Sequence, residues 1–515
     1  MQARPDAQEE SFSAEWVLAD EEATRRLASD MAGGLEPGDL LTLSGELGIG
    51  KTTLARHLIR CLLNEPDVEV PSPTFTLLQA YETPRFPLLH IDLYRVRGIE
   101  ELAELGFDDA EADAVRLIEW PDRAAGSLPR ERLDIILTAV PERGPDARRV
   151  KVSGHGRCAA RAHRFSAFPR FLEESGFGLA SRSLIQGDAS SRIYERLNLD
   201  GHSAILMIAP RRPDGPAVRD GRSYGEIAHL AEDVTPFMAM ARGLRERGFS
   251  APDVLAADLG EGLLILEDLG SNPVTNGDPP SPIDQCYTSA LDMLLTLHRQ
   301  NLPETLPVAP SVTYHLPKYD LDAFLIEAEL LLDWYMPHHG AEVEADVRAE
   351  FTTLWREALA ALAANAPTWV LRDYHSPNLL WLPGREGIAR VGVLDFQDAV
   401  LGPAAYDVVS LLQDARVDVP EPLEDTLLSR YLKGRRSGDR NFDLGKFIED
   451  YSMLGAQRAT KVLGIFSRLD RRDGKPQYLR HQPRVWRNLR RCLSHPIMAP
   501  LKAWYDKNVP TPRSY

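Results

Sequence analysis

The spacing of hydrophobic residues changes character part-way along this chain. Up to about residue 152, short apolar runs alternate with stretches of helical period. Asp39–Ser44 (DLLTLS), Leu88–Leu93 (LLHIDL), Ala114–Ile118 (AVRLI) and Leu133–Val140 (LDIILTAV) read as buried strands, and Thr52–Leu63 reads as a helix. Such alternation predicts an α/β sheet over residues 15–152. From Ser153 to Arg164 the text (SGHGRCAARAHR) is small, basic and aperiodic, so 153–167 is expected to be a linker. Beyond it, Ser183–Leu197, Ala204–Ala209 and Leu263–Leu266 read as strands of a small lobe, and helical patterns dominate from Pro282. No internal repeat is visible.

Size agrees with this division, since 515 residues exceed what one hydrophobic core organises. The composition, 43% hydrophobic and 26% charged, is that of a soluble globular chain. A net charge of −17 argues against a nucleic-acid footprint over the whole protein, while local basic patches stay open. Cys61, Cys158, Cys286 and Cys492 are scattered, which excludes a close-spaced zinc or redox motif and reads as reduced thiols. The polar, acid-rich start (MQARPDAQEESF) excludes a conventional signal peptide, and no apolar stretch is long enough to span a bilayer. A cytoplasmic protein with no membrane contact is expected.

Candidate chemistry enters with GELGIGKT, Gly45–Thr52, which follows an apolar strand and opens a helix. Gly45, Gly48 and Gly50 let the backbone curl so that its N–H groups face phosphates at the positive end of that helix. Lys51 is placed to reach the β and γ oxygens of ATP, Thr52 to coordinate Mg²⁺, and Thr53 to follow as a further nucleotide contact. Asp92 ends an apolar strand and is a direct or water-bridged ligand of the same metal. Glu119 also ends a strand, where a carboxylate could position the attacking water; read alone, it is more simply a solvated strand end. Thr74 either touches nucleotide or caps the turn after Pro73.

SPTF (Ser72–Phe75), HIDLYR (His90–Arg95) and IEWPD (Ile118–Asp122) follow the loop in that order. Together with GELGIGKT they resemble TsaE, the ATPase subunit of the bacterial machinery that makes threonylcarbamoyl-adenosine in tRNA. The resemblance spans residues 15–152. It implies that Lys51 and Thr52 bind ATP and Mg²⁺, that Asp92 supports the metal, and that catalytic Glu119 and nucleotide-contacting Trp120 complete the site. Partners of the TsaB and TsaD type come with it.

A second constellation lies far downstream, in LRDYHSPN (Leu371–Asn378) and VLDFQD (Val393–Asp398). Kinase chemistry needs a carboxylate to accept the proton of the attacking hydroxyl, and an amide and another carboxylate to hold Mg²⁺ against ATP. Asp373, Asn378 and Asp395 meet that need in the right order, although Asp373 and Asn378 taken singly would pass as turn residues. Upstream, GDASSRIYERL (Gly187–Leu197) is expected to form a strand–turn–strand lid with Gly187 and Ser190 at the phosphates. LILEDLG (Leu264–Gly270) joins the lobes, with the backbone of Glu267 available to adenine. The strand expected to carry a phosphate-binding lysine reads ILMIAP (Ile205–Pro210) and has none. Arg192 is the first candidate replacement and Arg196, on the same face of the strand, the second; Arg211 and Arg212 stand behind them.

These segments, with VLDFQDAVLGPAAYDVVSLLQDAR and GAQRATKVLGIFSRLDRRDGKPQYL, resemble the aminoglycoside-phosphotransferase-like kinases over residues 168–505. The match is closest to the AmgK branch, which phosphorylates N-acetylmuramate and N-acetylglucosamine at the anomeric hydroxyl in cell-wall recycling. Leu371 departs from the family, where histidine is common. Between Arg458 and Arg491 eleven Lys or Arg face two Asp, Asp470 and Asp473. That field repels a polycationic aminoglycoside and draws a sugar bearing a lactyl carboxylate. A solvated basic helix face is the bland reading for most of these arginines, and a direct tRNA contact, with Tyr478 and Trp486 interleaved, stays open.

The expectation is therefore an α/β P-loop NTPase domain at 15–152, followed after the linker by a two-lobed α+β, protein-kinase-like domain at 168–505. Its small lobe should run over about 168–269 and its helical large lobe over about 270–505. The resemblances imply a bifunctional enzyme, an ATPase for tRNA modification joined to an anomeric amino-sugar kinase. The rival reading makes the second half an atypical protein kinase or RNA-linked ATPase of the same tRNA pathway.

Overall fold

The computed structural model describes residues 11–96, 113–124, 126–185, 192–211, 215–360, 362 and 367–513. They form two compact units, Met1–Pro210 with Leu255–Leu266, and Arg211–Val254 with Glu267–Tyr515.

In the first unit, seven strands make one mixed sheet: β1 (Ser11–Leu18), β2 (Leu40–Ser44), β3 (Leu78–Glu82), β4 (Pro87–Asp92), β5 (Val115–Glu119), β6 (Leu133–Ala139) and β7 (Arg148–His155). Their spatial order is β1-β7-β6-β2-β5-β4-β3. The inner pairs β2/β5, β2/β6 and β4/β5 are parallel, and the outer ones are antiparallel. Helix α1 (Glu21–Gly34) starts where the Asp20 carboxylate accepts the Ala23 N–H at 2.8 Å. With α2 (Lys51–Leu63) it buries Leu27, Met31, Leu54 and Leu58 against Leu41, Leu117 and Ile135 of the sheet. The carboxyl ends of β2, β4 and β5 share one edge, where open α/β sheets bind ligands. All four predicted strands and the predicted helix are present, displaced by a residue or so; β1, β3, β7 and α1 are additional.

The expected linker is not irregular. Ser153–His155 completes β7, which pairs with β1 from Ser11 onward, and Ala159–Glu174 is a continuous helix, α3. The composition misleads for identifiable reasons. Gly154 is small because a Cβ there would lie 2.1 Å from the Cys158 carbonyl oxygen, so glycine here marks close packing and not a loose segment. In α3 the buried face includes Ala159, Ala162 and Ala167, which blur the helical period. The helix also serves two cores. Phe165 packs with Leu27 and Met31, while Phe168, Phe171 and Leu172 pack with Leu197, Leu206, Ile208, Leu263 and Ile265.

That second core lies under a five-stranded sheet, Val254–Asp258 (β11), Leu263–Glu267 (β12), His202–Ile208 (β10), Ile193–Leu199 (β9) and Ser181–Ile185 (β8), in that spatial order. A buried charge cluster ties it to α1: Arg182 on β8 pairs with Asp30 and, through Nε at 2.6 Å, with Glu195 on β9. Removing one partner of such a cluster strands the others without water. Arg182→Ala should therefore lower unfolding free energy by roughly 3–5 kcal/mol. Urea unfolding midpoints check this, and an unchanged midpoint would mean that the two carboxylates reach solvent.

The second unit is mainly helical, as expected from Pro282 onward. Its longest helix, Leu444–Asp473, begins at an Asp443 cap and buries Met453, Leu454, Ala456, Gln457 and Leu463 along its middle. Against it pack helices Leu321–Ala328, Ala405–Leu412 and Gln482–Leu493. Short antiparallel strand pairs, Thr368–Val370 with Val400–Gly402 and Leu379–Trp381 with Val391–Val393, present the aspartate loop. The fold class is the expected one: an α/β phosphate-loop domain followed by an α+β kinase-like fold.

Candidate active sites

At the first site, β2 runs into a turn that only glycine adopts without strain. Gly45, Gly48 and Gly50 have φ of 140°, 77° and 113°, and Gly45 has no room for a side chain, since a Cβ would lie 2.5 Å from the Leu137 carbonyl oxygen. Lys51 follows, buried, with Nζ donating to the Gly45 and Glu46 carbonyls at 2.9 Å each and lying 3.7 Å from the centre of the Trp120 ring. Burial pushes its ammonium below the usual lysine range, with Glu119 and Asp92 opposing. Trp120 reaches this place because its backbone turns left-handed, at φ 60°, directly after β5. Thr53 stands half-buried on α2.

The Thr52 hydroxyl donates to Glu119 Oε2 at 2.8 Å, so Glu119 is no solvated strand end. Its other oxygen meets His90 Nε2 at 2.9 Å, with both side chains buried. Asp92, paired with Glu119 across β4 and β5, accepts from Thr74 Oγ1 at 2.6 Å, Ser72 Oγ at 3.2 Å and the Tyr94 N–H at 2.9 Å. Thr74 is thus held against Asp92. Hydroxyl and carboxylate oxygens beside a helix N-terminus suit Mg²⁺, which takes few protein ligands and fills its shell with phosphates and water. Among the described residues no group of three or more His, Cys, Asp or Glu is placed to hold a metal ion.

At the second site, Asp373 follows β-strand Thr368–Val370 on a loop gripped from beneath. The buried Asp407 carboxylate accepts the Leu371 N–H at 2.7 Å and the Arg372 N–H at 3.0 Å. Burial pushes that carboxyl up to about 7, in spite of the two N–H donors. Arg372 is left-handed at φ 65°, and its buried guanidinium donates to the Ala228 carbonyl at 2.9 Å and pairs with Glu327. Glu327 also meets Lys461 at 2.7 Å and the Tyr319 hydroxyl at 2.5 Å. Burial would raise its pKa, but Lys461 and Arg372 hold it at about 2.

Asp373 itself is half-exposed. Desolvation pushes its carboxyl up, and His375, Lys461, Arg372 and Arg458 together hold it below the usual range. Asn378 Nδ2 donates to the Asp373 carbonyl at 2.9 Å and lies 3.5 Å from Asp395 Oδ2, so the three predicted residues converge. Gln397 fixes the other Asp395 oxygen at 2.7 Å. An amide and a carboxylate facing one point form the hard-oxygen pair that Mg²⁺ with ATP takes.

The Glu267 N–H donates to the Asp253 carbonyl at 2.8 Å, and its carboxylate pairs with Arg245 and Arg385. Met207 is buried in β10, and Arg192 and Arg196 stand half-buried before and on β9. Gly187, Ser190 and Arg212 lie outside the described residues.

A model of the phosphotransferase enzyme family (APH) matches residues 181–442, half of the chain. The chain belongs to this family. Ahead of its phosphotransferase domain it carries a TsaE domain: the model of threonylcarbamoyl adenosine biosynthesis protein TsaE matches residues 18–149. An N-acetylmuramate/N-acetylglucosamine kinase of Caulobacter vibrioides is 40% identical over 362 residues, 68% of this chain and 98% of that one. Its counterpart in Pseudomonas aeruginosa is 32% identical over 332 residues, 63% of this chain and 88% of that one. The TsaE of Rickettsia bellii is 37% identical over 126 residues, 24% of this chain and 87% of that one. ATPase and phosphotransferase activity, with ATP and Mg²⁺ as cofactors, therefore belong to one polypeptide. No helix among the described residues is long and apolar enough to cross a membrane.

Several residues of the phosphotransferase and TsaE domains escaped the sequence reading. His90 was legible, since alternation along β4 puts it on the Asp92 face. Glu327 also left a signal, one of two acids, with Glu329, inside the apolar run FLIEAELLL. Asp407 and Arg372 left none, because their roles depend on burial and on backbone turned towards them.

Proposed function

We propose that the TsaE domain hydrolyses ATP in support of threonylcarbamoyl-adenosine formation in tRNA, and that the phosphotransferase domain phosphorylates N-acetylmuramate and N-acetylglucosamine at the anomeric hydroxyl. The observation that carries the second half is the 40% identity to the Caulobacter vibrioides kinase across nearly all of that protein's length. The convergence of Asp373, Asn378 and Asp395 supports it. In this reading the anomeric hydroxyl gives its proton to the Asp373 carboxylate, its oxygen bonds to the γ-phosphorus, and the bond to the β,γ-bridging oxygen breaks with its electrons leaving on ADP. Asn378 and Asp395 hold the Mg²⁺ that neutralises charge on the transferring phosphoryl group. The other phosphate cation is assigned on sequence grounds to Arg192, with Arg196 secondary.

In the TsaE domain Lys51 contacts the β and γ oxygens, Thr52 binds Mg²⁺, Asp92 supports it, and Glu119, aligned by His90, positions the attacking water. TsaB- and TsaD-like proteins are the partners this half implies. The four unpaired thiols and the dependence on ATP suit the cytoplasm. An RNA contact is less favoured, because Tyr478 is buried and stacked on Phe466 instead of facing a ligand.

The acceptor is tested by incubating the full chain with ATP and a panel of the two amino sugars and several aminoglycosides. Phosphate transfer to the sugars alone is expected; transfer to aminoglycosides alone would reject the assignment. Lys51→Ala should slow the ATP hydrolysis of the TsaE domain by about 10- to 100-fold, the worth of one charge-assisted contact. Sugar phosphorylation by the same variant should stay near wild type. Its loss in a folded variant would show that the two chemistries are not separate.

A further inference from the structure

The TsaE match ends at residue 149 and the phosphotransferase match begins at 181, yet the two domains share one buried charge cluster. Asp30 lies near the end of α1, where every residue from Leu27 to Gly34 is buried. Leu27 and Met31 pack into the TsaE core. Asp30 instead pairs with Arg182 on β8, and Arg182 reaches Glu195 on β9, with no side chain of the three more than 5% exposed. A Cβ on Gly33 would lie 2.9 Å from Ile208 Cδ1 and 3.0 Å from Glu195 Oε1, so glycine lets α1 come this near to β9 and β10. On α3 the same junction is tied twice more. Arg161 Nε lies 3.0 Å from Asp39 of the TsaE domain, and His163 Nδ1 lies 3.0 Å from Glu261 between β11 and β12.

The register shows which face of the second sheet is held. Arg182 pairs with Leu197 across β8 and β9, and Glu195 with Leu206 across β9 and β10, so these four share a face. That face meets α1 and α3. Side chains alternate along a strand, so the opposite face carries Tyr194, Arg196, Ile205 and Met207. It therefore holds Arg196, one of the two assigned phosphate cations, and Met207 in the strand where a lysine was sought.

We propose that Asp30, a residue of the TsaE domain, is a positioning residue of the phosphotransferase. Through Arg182 it fixes Glu195, and Glu195 and Arg196 are neighbours on one strand. Holding the first from behind sets the second towards the phosphates of ATP. A guanidinium shared by two buried carboxylates is directional, and breaking it leaves a charge without water, so it fixes the helix against the strands more sharply than apolar packing does. The inference rests on the proposed kinase reading and gives the added domain a part in nucleotide binding by its neighbour.

The test measures sugar phosphorylation by the full chain as Asp30→Ala, Asp30→Asn and Gly33→Leu. Asp30→Ala should raise KM for ATP about 10-fold, as expected if the strands keep the binding arrangement a tenth of the time. The sugar KM should stay near wild type. Asp30→Asn keeps an oxygen for Arg182 and should restore part of the ATP affinity. Gly33→Leu leaves all three charges and drives α1 away from β9 and β10, so it should raise the same constant. ATP hydrolysis by the TsaE domain reports folding in each variant. An unchanged KM for ATP in both Asp30→Ala and Gly33→Leu would overturn the inference, as would an equal fall of sugar phosphorylation and TsaE hydrolysis. Calorimetric titration of ATP into the Lys51→Ala chain, with and without Asp30→Ala, reads the affinity without an acceptor. A loss of the same size there, in a chain that phosphorylates no sugar, would uphold the role of Asp30 and reject the acceptor.

Discussion

Replacing Asp373 by asparagine should lower the rate of sugar phosphorylation by about 10²–10⁴-fold while leaving ATP binding close to wild type. The amide keeps the shape of the side chain and cannot take the proton. The loop should keep its place, because Asp407 grips the backbone at Leu371 and Arg372 and Asn378 grips the Asp373 carbonyl, none of them through the Asp373 carboxylate. Support for this loop comes from Asp407 beneath the main chain. Stopped-time assays of sugar phosphate and a separate measurement of nucleotide affinity check the split. A variant that loses ATP affinity and keeps its rate per bound complex would exclude Asp373 as the base.

Glu327→Gln should be the most destabilising single change in the phosphotransferase domain, lowering unfolding free energy by roughly 3–5 kcal/mol. It removes the carboxylate that pairs directly with both Arg372 and Lys461, leaving two buried cations together. Because Arg372 holds the Asp373 loop in a left-handed turn, activity should fall with it even where the variant is still folded. The pH dependence has a definite sign. The Glu327 pKa is about 2 in the folded protein against an ordinary 4.5. Its contribution is therefore fully present above the unfolded value and is lost as pH falls from there through about 2. The wild type should lose stability over that window, and Glu327→Gln should lose less. Urea unfolding at several pH values measures both, and equal acid sensitivity would show that Glu327 is not the titrating group.

Chemistry was more legible than architecture in this chain. GELGIGKT was readable because a phosphate loop needs small residues at fixed places, and the glycines indeed take positive φ where the turn demands it. Asp373, Asn378 and Asp395, singled out by their order along the chain, lie together in the structure. The 153–167 stretch misled because alanine and glycine mark both loose linkers and tight packing, and only the neighbours of Gly154 and α3 tell these apart. The phosphate-loop carboxylates fall between these cases: Glu119 read alone was a strand end, and it became part of a site once Thr52 and His90 were seen on its two oxygens.

The central claim is the position of phosphorylation, and ³¹P NMR of the product made from N-acetylmuramate and ATP tests it most directly. The account predicts one phosphate coupled to the anomeric proton, lost on mild acid treatment and absent with Asp373→Asn. A phosphate on another hydroxyl, stable to acid, or phosphate appearing on protein in place of sugar, would contradict it.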